Sequence, residues 1–138
     1  MVLSSTLQGN SPFQPGVAQD VFVPDQLIGG DLKIVSRHRT LTGGAIFKRG
    51  TVLGMITASG LFTIATAAAN DGSQTPVEIL ADDVDTTGGN VDGGTYVMGE
   101  FNERAVILGA GITLAAAKAA LELKNIYLKS SVSAALPT

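Results

Sequence analysis

Short apolar runs, separated by glycines, recur along the chain from about residue 34. The runs are rich in Val, Ile, Thr and Phe, and turn residues bound them every eight to twelve positions. Such spacing is typical of the short strands of a small sandwich or barrel. It predicts strands at 34–35, 45–47, 51–57, 61–65, 77–80, 96–101 and 126–128. The polar, glycine-rich stretch 86–94 is predicted to be a surface loop.

One stretch in the C-terminal half has a helical period instead. Thr113 is placed to cap residues 114–124, whose alanines, leucines, glutamate and lysines favour a helix. Its apolar stripe, at i, i+3 and i+7, comprises Leu114, Ala117 and Leu121. Lys124 falls in the predicted last turn, where its charge complements the helix dipole. We therefore expect an α+β, mainly β fold: a compact sandwich-like or barrel-like module with one helix at about 113–124.

The first forty residues or so have no coherent hydrophobic period. Prolines and a glycine at positions 12, 15, 16 and 24 prevent any long regular element there. We expect residues 1–42 to form an extended arm with a lead-in strand, and residues 43–138 to form the module. Such an arm can lie across a partner and become ordered on binding. The alternating stretch Val21, Phe22, Val23 has the composition to add a strand to a partner's sheet edge.

Composition narrows the possible functions. A chain of 138 residues can bury about two thirds of its unfolded surface without help from disulfides or metals. Cysteine is absent, which excludes disulfides, thiolate catalysis and cysteine metal sites. The net charge is −3 and the nine Lys and Arg are dispersed, unlike the basic patches of nucleic-acid binders. No secretory signal is predicted, and no apolar stretch approaches the roughly 18 residues of a membrane helix, so we expect a soluble protein.

The segment 105–114 imitates a dinucleotide-binding motif, because a predicted strand precedes Gly109-Ala110-Gly111 and a predicted helix follows. That motif needs a small residue at the position of Leu114 and an acidic residue about twenty positions further on. Leu114 is large, and no acidic residue follows Glu122. A tight turn from strand to helix is the better interpretation.

The segment that begins at Asp83 starts like a calcium loop. The calcium-loop pattern requires a bidentate glutamate at its twelfth position, where this chain has Gly94. A solvated acidic turn is therefore favoured, although a loose calcium site stays open. Its ligands would come from among Asp82, Asp83, Asp85 or Asp92.

His38 is the one histidine of the chain and lies between Arg37 and Arg39. A catalytic base needs a nucleophile and an orienting group, and the neighbouring Ser36 is no evidence of either. The basic run 33–39 is interpreted as a solvated strand edge, with contact to an acidic partner surface as the alternative. We predict no catalytic, cofactor-binding or metal-binding residue.

Four segments form an ordered set that is more specific than any one of them. They are 49–60 (RGTVLGMITASG), 71–77 (DGSQTPV), 79–85 (ILADDVD) and 96–103 (YVMGEFNE). As a set they resemble the head decoration proteins of tailed bacteriophages, the lambda-type capsid cement family, and the similarity covers most of residues 43–128. Two positions depart from that pattern: Glu78 stands in place of a small residue, and Met55 in place of a polar or basic one.

The resemblance implies a non-enzymatic structural protein of the virion. Such a protein would form homotrimers on the outer surface of the expanded phage head, at three-fold and quasi-three-fold positions, and brace neighbouring major capsid proteins. It implies no cofactor, no nucleic acid and no membrane among its partners. A different virion or surface module, such as a fibre or adhesin domain, is the alternative. A small ligand-binding or hydrolytic enzyme is disfavoured by the lack of titratable clusters.

Candidate contact residues follow from the arm and from two turn-like segments. The predicted capsid-binding residues are Phe13, Val21, Phe22, Val23 and Leu27. The predicted trimer-interface residues are Gln74, Thr75, Pro76, Glu100, Phe101, Asn102 and Glu103. For this second set, turn chemistry within one subunit is an equal alternative.

Overall fold

The computed structural model describes residues 27–130, which contain eight strands and one helix. The strands are β1 (Val35–Leu41), β2 (Ile46–Phe47), β3 (Val52–Met55), β4 (Phe62–Ile64), β5 (Pro76–Leu80), β6 (Val84–Asp85), β7 (Val91–Asn102) and β8 (Ile126–Lys129). The helix α1 spans Leu114–Glu122 and lies between β7 and β8 in sequence. The predicted fold class, mainly β with a helix in the C-terminal half, is confirmed.

Five of the described strands close a barrel in the order β1, β4, β3, β5, β7, because β7 also pairs with β1. The closing pair is antiparallel and runs from Val35 opposite Met98 to Leu41 opposite Val91. The last part of β7 extends beyond this ring and pairs in parallel with β8. β2 and β6 form a separate antiparallel ribbon. The predicted boundary at residue 42 would assign β1 to the arm, yet β1 is an integral strand of the barrel.

Neighbouring residues of the central strands point into two different cores, as the two-residue period of a strand requires. The inner core fills the barrel with Leu41, Leu53, Phe62 and Leu80, and Phe47 and Val84 of the ribbon close one end. The outer core lies between the barrel wall and α1 and contains Val52, Ile79, Phe101, Ala117, Leu121 and Ile126. The barrel wall is therefore buried on both faces where α1 and β8 cover it.

The helix begins where its cap residue predicts and ends earlier than expected. The Ala116 amide donates a 3.2 Å hydrogen bond to Thr113 Oγ1, which satisfies one free donor of the first turn. The predicted stripe is confirmed, because Ala117 and Leu121 are buried and Leu114 packs against the same core. The placement of Lys124 in the last turn is wrong. Asn125 has a left-handed φ of 64° that reverses the chain, and Lys124 precedes it outside the helix.

The glycine-rich stretch 86–94 is only partly a loop, because its end belongs to β7. Gly93 pairs with Arg39 of β1 and is buried. A Cβ atom at this position would lie 2.7 Å from Val84 Cγ2 and 3.1 Å from Leu41 Cδ1. The absence of a side chain therefore allows the β2–β6 ribbon to pack directly on the barrel.

Candidate functional site

Both ends of the described chain meet β7 at the same place. The Asn102 amide donates a 2.6 Å hydrogen bond to the Leu27 carbonyl, and Ile28 forms an antiparallel bridge with Phe101. On the other side of β7, Lys129 of the parallel strand β8 is the partner of Asn102. Strand spacing places Leu27 and Lys129 about 10 Å apart, on either side of one strand. We call this place, defined by Leu27, Asn102 and Lys129, the termini end, since residues 1–26 and 131–138 both join the fold there.

The Glu100 carboxylate connects the two sides of the termini end. Glu100 Oε2 accepts a 3.1 Å hydrogen bond from the Leu32 amide, and Glu100 Oε1 lies 2.7 Å from Lys129 Nζ. The hydrogen bond from Lys129 lowers the pKa of Glu100, assisted by the lysine's charge and the Leu32 amide, while partial burial opposes them. The same contact raises the pKa of Lys129. Glu100 thus connects the incoming chain with β8 in its ionised form.

This contact predicts a measurable pH dependence of stability. The pKa of Glu100 is lowered on folding, so its contribution is present above the unfolded value of about 4.5 and is lost as the pH falls through the lowered folded value. The raised pKa of Lys129 works in the opposite range, since its contribution is lost as the pH rises above 10.5. Urea unfolding of the chain and of Glu100→Gln, at pH 7 and at pH 3, measures the first effect. We expect the variant to lose less stability on acidification, and an equal loss would contradict this role.

Three of the predicted trimer residues are buried inside the chain, so their prediction as exposed interface residues is wrong. Phe101 is completely buried and packs beside Tyr96, with ring centroids 5.1 Å apart. Asn102 is 4% exposed, and its side-chain oxygen accepts a 3.0 Å hydrogen bond from the Arg104 amide. Pro76 is buried at the start of β5. Their side chains have internal contacts and do not form an exposed surface.

The other four predicted trimer residues reach the surface to different degrees. Gln74 and Thr75 are exposed, whereas Glu100 and Glu103 are half-buried. Glu103 forms a 2.9 Å salt bridge with Lys118 of α1. The loop before β5 is stabilised by a hydrogen bond within the subunit, which the Gly72 amide donates to Gln74 Oε1 at 2.9 Å. This is the alternative interpretation of that segment. A role of these four residues in a trimer stays a prediction.

Of the predicted capsid-binding residues, only Leu27 lies within the described range. Its side chain is 2% exposed and belongs to the outer core with Phe101, so it is a module residue and is not available to a partner. The prediction for Leu27 is therefore wrong. The proline at position 24 favours an arm up to this point, but Leu27 is held by β7, whose Asn102 lies 75 positions further along the sequence. Phe13, Val21, Phe22 and Val23 lie outside the described residues.

The end of the barrel opposite the ribbon opens into a cleft of about 400 Å³, which we call the barrel mouth. It is lined by Arg37, Arg39, Met55, Phe62, Val77, Glu78, Val97 and Lys124. At its base, the Glu78 side chain is 8% exposed and accepts hydrogen bonds of 3.0 and 2.7 Å from Arg39 Nε and Nη2. Thr95 Oγ1 donates a further hydrogen bond, of 2.5 Å, to Glu78 Oε2. Met55 and Glu78 both line this cleft.

The glycines of the dinucleotide-like motif have a packing function in the structure. A Cβ atom on Gly109 would lie 1.9 Å from the Ala65 carbonyl oxygen, and Gly111 has a left-handed φ of 78°. The sharp turn before α1 therefore requires glycine at both positions. Only a single bridge, from Ile107 to Thr51, precedes this turn instead of the expected strand.

The acidic residues of the calcium-like segment are used in local hydrogen bonds. Asp83 accepts from the Arg49 amide at 2.7 Å, and Asp85 accepts from the amide and hydroxyl of Thr87 at 2.9 and 2.6 Å. Within residues 27–130, no three His, Asp or Glu side chains come together in a group suited to a metal ion. The hydrogen bonds from Thr87 lower the pKa of Asp85. The acidic turn is thus a feature of the local fold.

His38 is exposed on β1, opposite Gly94 of β7. Ser36 and Arg37 of the same strand are also exposed, as expected for a solvated strand. The strand is not a sheet edge as predicted, because β1 pairs with both β4 and β7. The helix in the described part of the chain is too short to cross a membrane.

Comparison with known proteins gives one finding. A family model described as "Bacteriophage lambda head decoration protein D" matches residues 17–125, which are 109 of the 138 residues. No curated protein matches the chain.

Proposed function

The chain belongs to the bacteriophage lambda head decoration protein D family, and from this premise we propose that it decorates the outer surface of a phage head. In this proposal it binds the expanded shell as homotrimers, at three-fold and quasi-three-fold positions, and braces neighbouring major capsid proteins. Its role is structural, with no catalytic group and no cofactor. The family match over most of the chain is the observation that carries the proposal.

The position of the termini end supports a definite orientation on the head. Residues 1–26 and 131–138 both join the fold beside Asn102, so contacts made by either segment would lie on one side of the module. We infer that the termini end faces the shell and that residues 1–26 act as the capsid-binding arm. The ribbon end of the barrel then points away from the shell.

Residues 21–23 are the part of the arm best suited to a strand contact. Val, Phe and Val in succession favour extended backbone, and a strand added to a sheet edge gains main-chain hydrogen bonds. Three arms in one trimer would bind at a high effective concentration after the first had bound. Weak single contacts would in this way give stable decoration.

Two measurements test the proposal. Light scattering is expected to give a mass three times the 14.1 kDa of one chain. Co-sedimentation with heads that lack their own decoration protein is expected to show binding to expanded heads and little binding to unexpanded heads. Failure to bind expanded heads would refute head decoration. A monomer in solution that still binds the heads would refute only the preformed trimer.

A further inference from the structure

We propose that the barrel mouth is a binding site for a carboxylate side chain that a protein partner presents on an apolar segment. The proposal rests on the unbalanced charge of the cleft and on the apolar character of its walls. It goes beyond head decoration, because it assigns a ligand chemistry to a surface for which the family match gives no role.

The charges of Glu78 and Arg39 in the cleft neutralise each other. Both carboxylate oxygens of Glu78 receive hydrogen bonds from Arg39, and Thr95 adds another. The Arg39 guanidinium also lies 5.0 Å from the centre of the Phe62 ring. A buried carboxylate with this many partners is stable only while they remain in place. Glu78 and Arg39 therefore form a fixed, nearly neutral floor.

Two cations at the rim of the cleft remain uncompensated. Arg37 and Lys124 line the mouth, and neither side chain has a hydrogen bond or ion pair with the part of the chain that the structure describes. The cleft thus carries an excess of positive charge on a chain whose net charge is −3. An anionic group would be attracted to this place.

The walls between these cations are apolar. Met55 is 39% exposed, and Val77 and Val97 are half-buried beside the ring of Phe62. A cleft of about 400 Å³ is at the lower end of the range for ligand sites and can hold one or two side chains. The flexible methionine side chain can adapt to an incoming apolar group. The charged rim and the apolar walls together suit a glutamate or aspartate that stands beside a hydrophobic residue. They suit a phosphate less well, because a phosphate would leave the apolar walls without a partner.

The position of the cleft makes it reachable for a partner at the termini end. Val97 lies on β7 five residues before Asn102, a distance of roughly 17 Å along the strand. A protein bound beside Leu27 and Lys129 could therefore place a neighbouring segment in the mouth. Binding of a carboxylate at the barrel mouth can be measured without phage heads. The outcome of that measurement therefore does not depend on whether the protein decorates heads.

The experiment is an NMR titration of the ¹⁵N-labelled full chain with acetyl-Leu-Glu-Leu-amide, with acetyl-Leu-Gln-Leu-amide as the uncharged probe. We expect saturable shifts at Met55, Val77 and Val97, and about tenfold weaker binding of the uncharged probe, because the charge-assisted hydrogen bonds are missing. The variant Arg37→Gln with Lys124→Gln should weaken binding of the glutamate probe by about tenfold as well. Both replaced side chains are exposed, so the fold is expected to persist, and the ¹⁵N spectrum verifies this.

The matched control removes two exposed cations elsewhere, Lys33→Gln with Arg104→Gln, and should change the affinity by less than about twofold. Equal affinity for the two probes, shifts outside the cleft, or equal losses in both double variants would overturn the proposal. Tighter binding of inorganic phosphate than of the glutamate probe would also overturn it, since the site would then be selective for phosphate.

Discussion

Replacing Gly54 with alanine is expected to destabilise the barrel by about 3 kcal/mol, because the added methyl group would collide with backbone. Gly54 is buried in β3, where a Cβ atom would lie 2.0 Å from the Ser73 carbonyl oxygen. Ser73 cannot easily move aside. It is 2% exposed, and its amide and hydroxyl both donate hydrogen bonds to Asp71 Oδ1, at 3.0 and 2.6 Å.

Urea unfolding of Gly54→Ala at neutral pH measures this loss. Gly88→Ala is the matched control, because a Cβ atom there would have open space around it and the backbone is not left-handed. The control should stay within about 0.5 kcal/mol of the parent chain. Equal stability of the two variants would show that the loop 71–75 does not press on β3 as described.

Deleting residues 1–26 is expected to abolish binding to expanded heads, a loss of about 100-fold or more, because the avid contacts of three arms would be removed together. The truncated chain keeps Leu27 and the rest of the outer core, so its free energy of unfolding should change little. Co-sedimentation with heads and urea unfolding measure the two quantities separately.

Leu27→Ala in the full chain is the complementary control. It should lower the free energy of unfolding by about 2–5 kcal/mol, since it removes a buried side chain, while the arm remains. At a temperature where this variant is still folded, head binding should persist. Undiminished binding by the truncated chain would contradict the assignment of residues 1–26 to the capsid contact.

Local sequence patterns were sufficient to predict most strands and the helix. Apolar runs between glycines indicate β3, β4, β5 and β8 within a few residues of their observed bounds. The first half of β7 was missed because Asp92, Gly93 and Gly94 have neither apolar alternation nor β propensity. Those residues form a strand because β1 pairs with them and because Val84 and Leu41 need a position without a side chain.

The candidate contact residues were harder to predict, because burial depends on distant parts of the chain. Phe101 stands between two polar residues, which is the alternation of an inward-facing side chain, and this signal could have excluded it from an exposed interface. The pairing of Glu78 with Arg39 had no such local signal. The two residues are 39 positions apart and meet only when the barrel closes, so the barrel mouth could not be found in the sequence.

The most direct test of head decoration is an electron cryo-microscopy reconstruction of expanded heads saturated with the protein. We predict protrusions at the three-fold and quasi-three-fold positions of the outer surface, each containing three copies of the fold of residues 27–130. The termini end, with Leu27 and Lys129, should face the shell, and the β2–β6 ribbon should point away from it. Empty three-fold positions, or copies with the ribbon against the shell, would contradict the account.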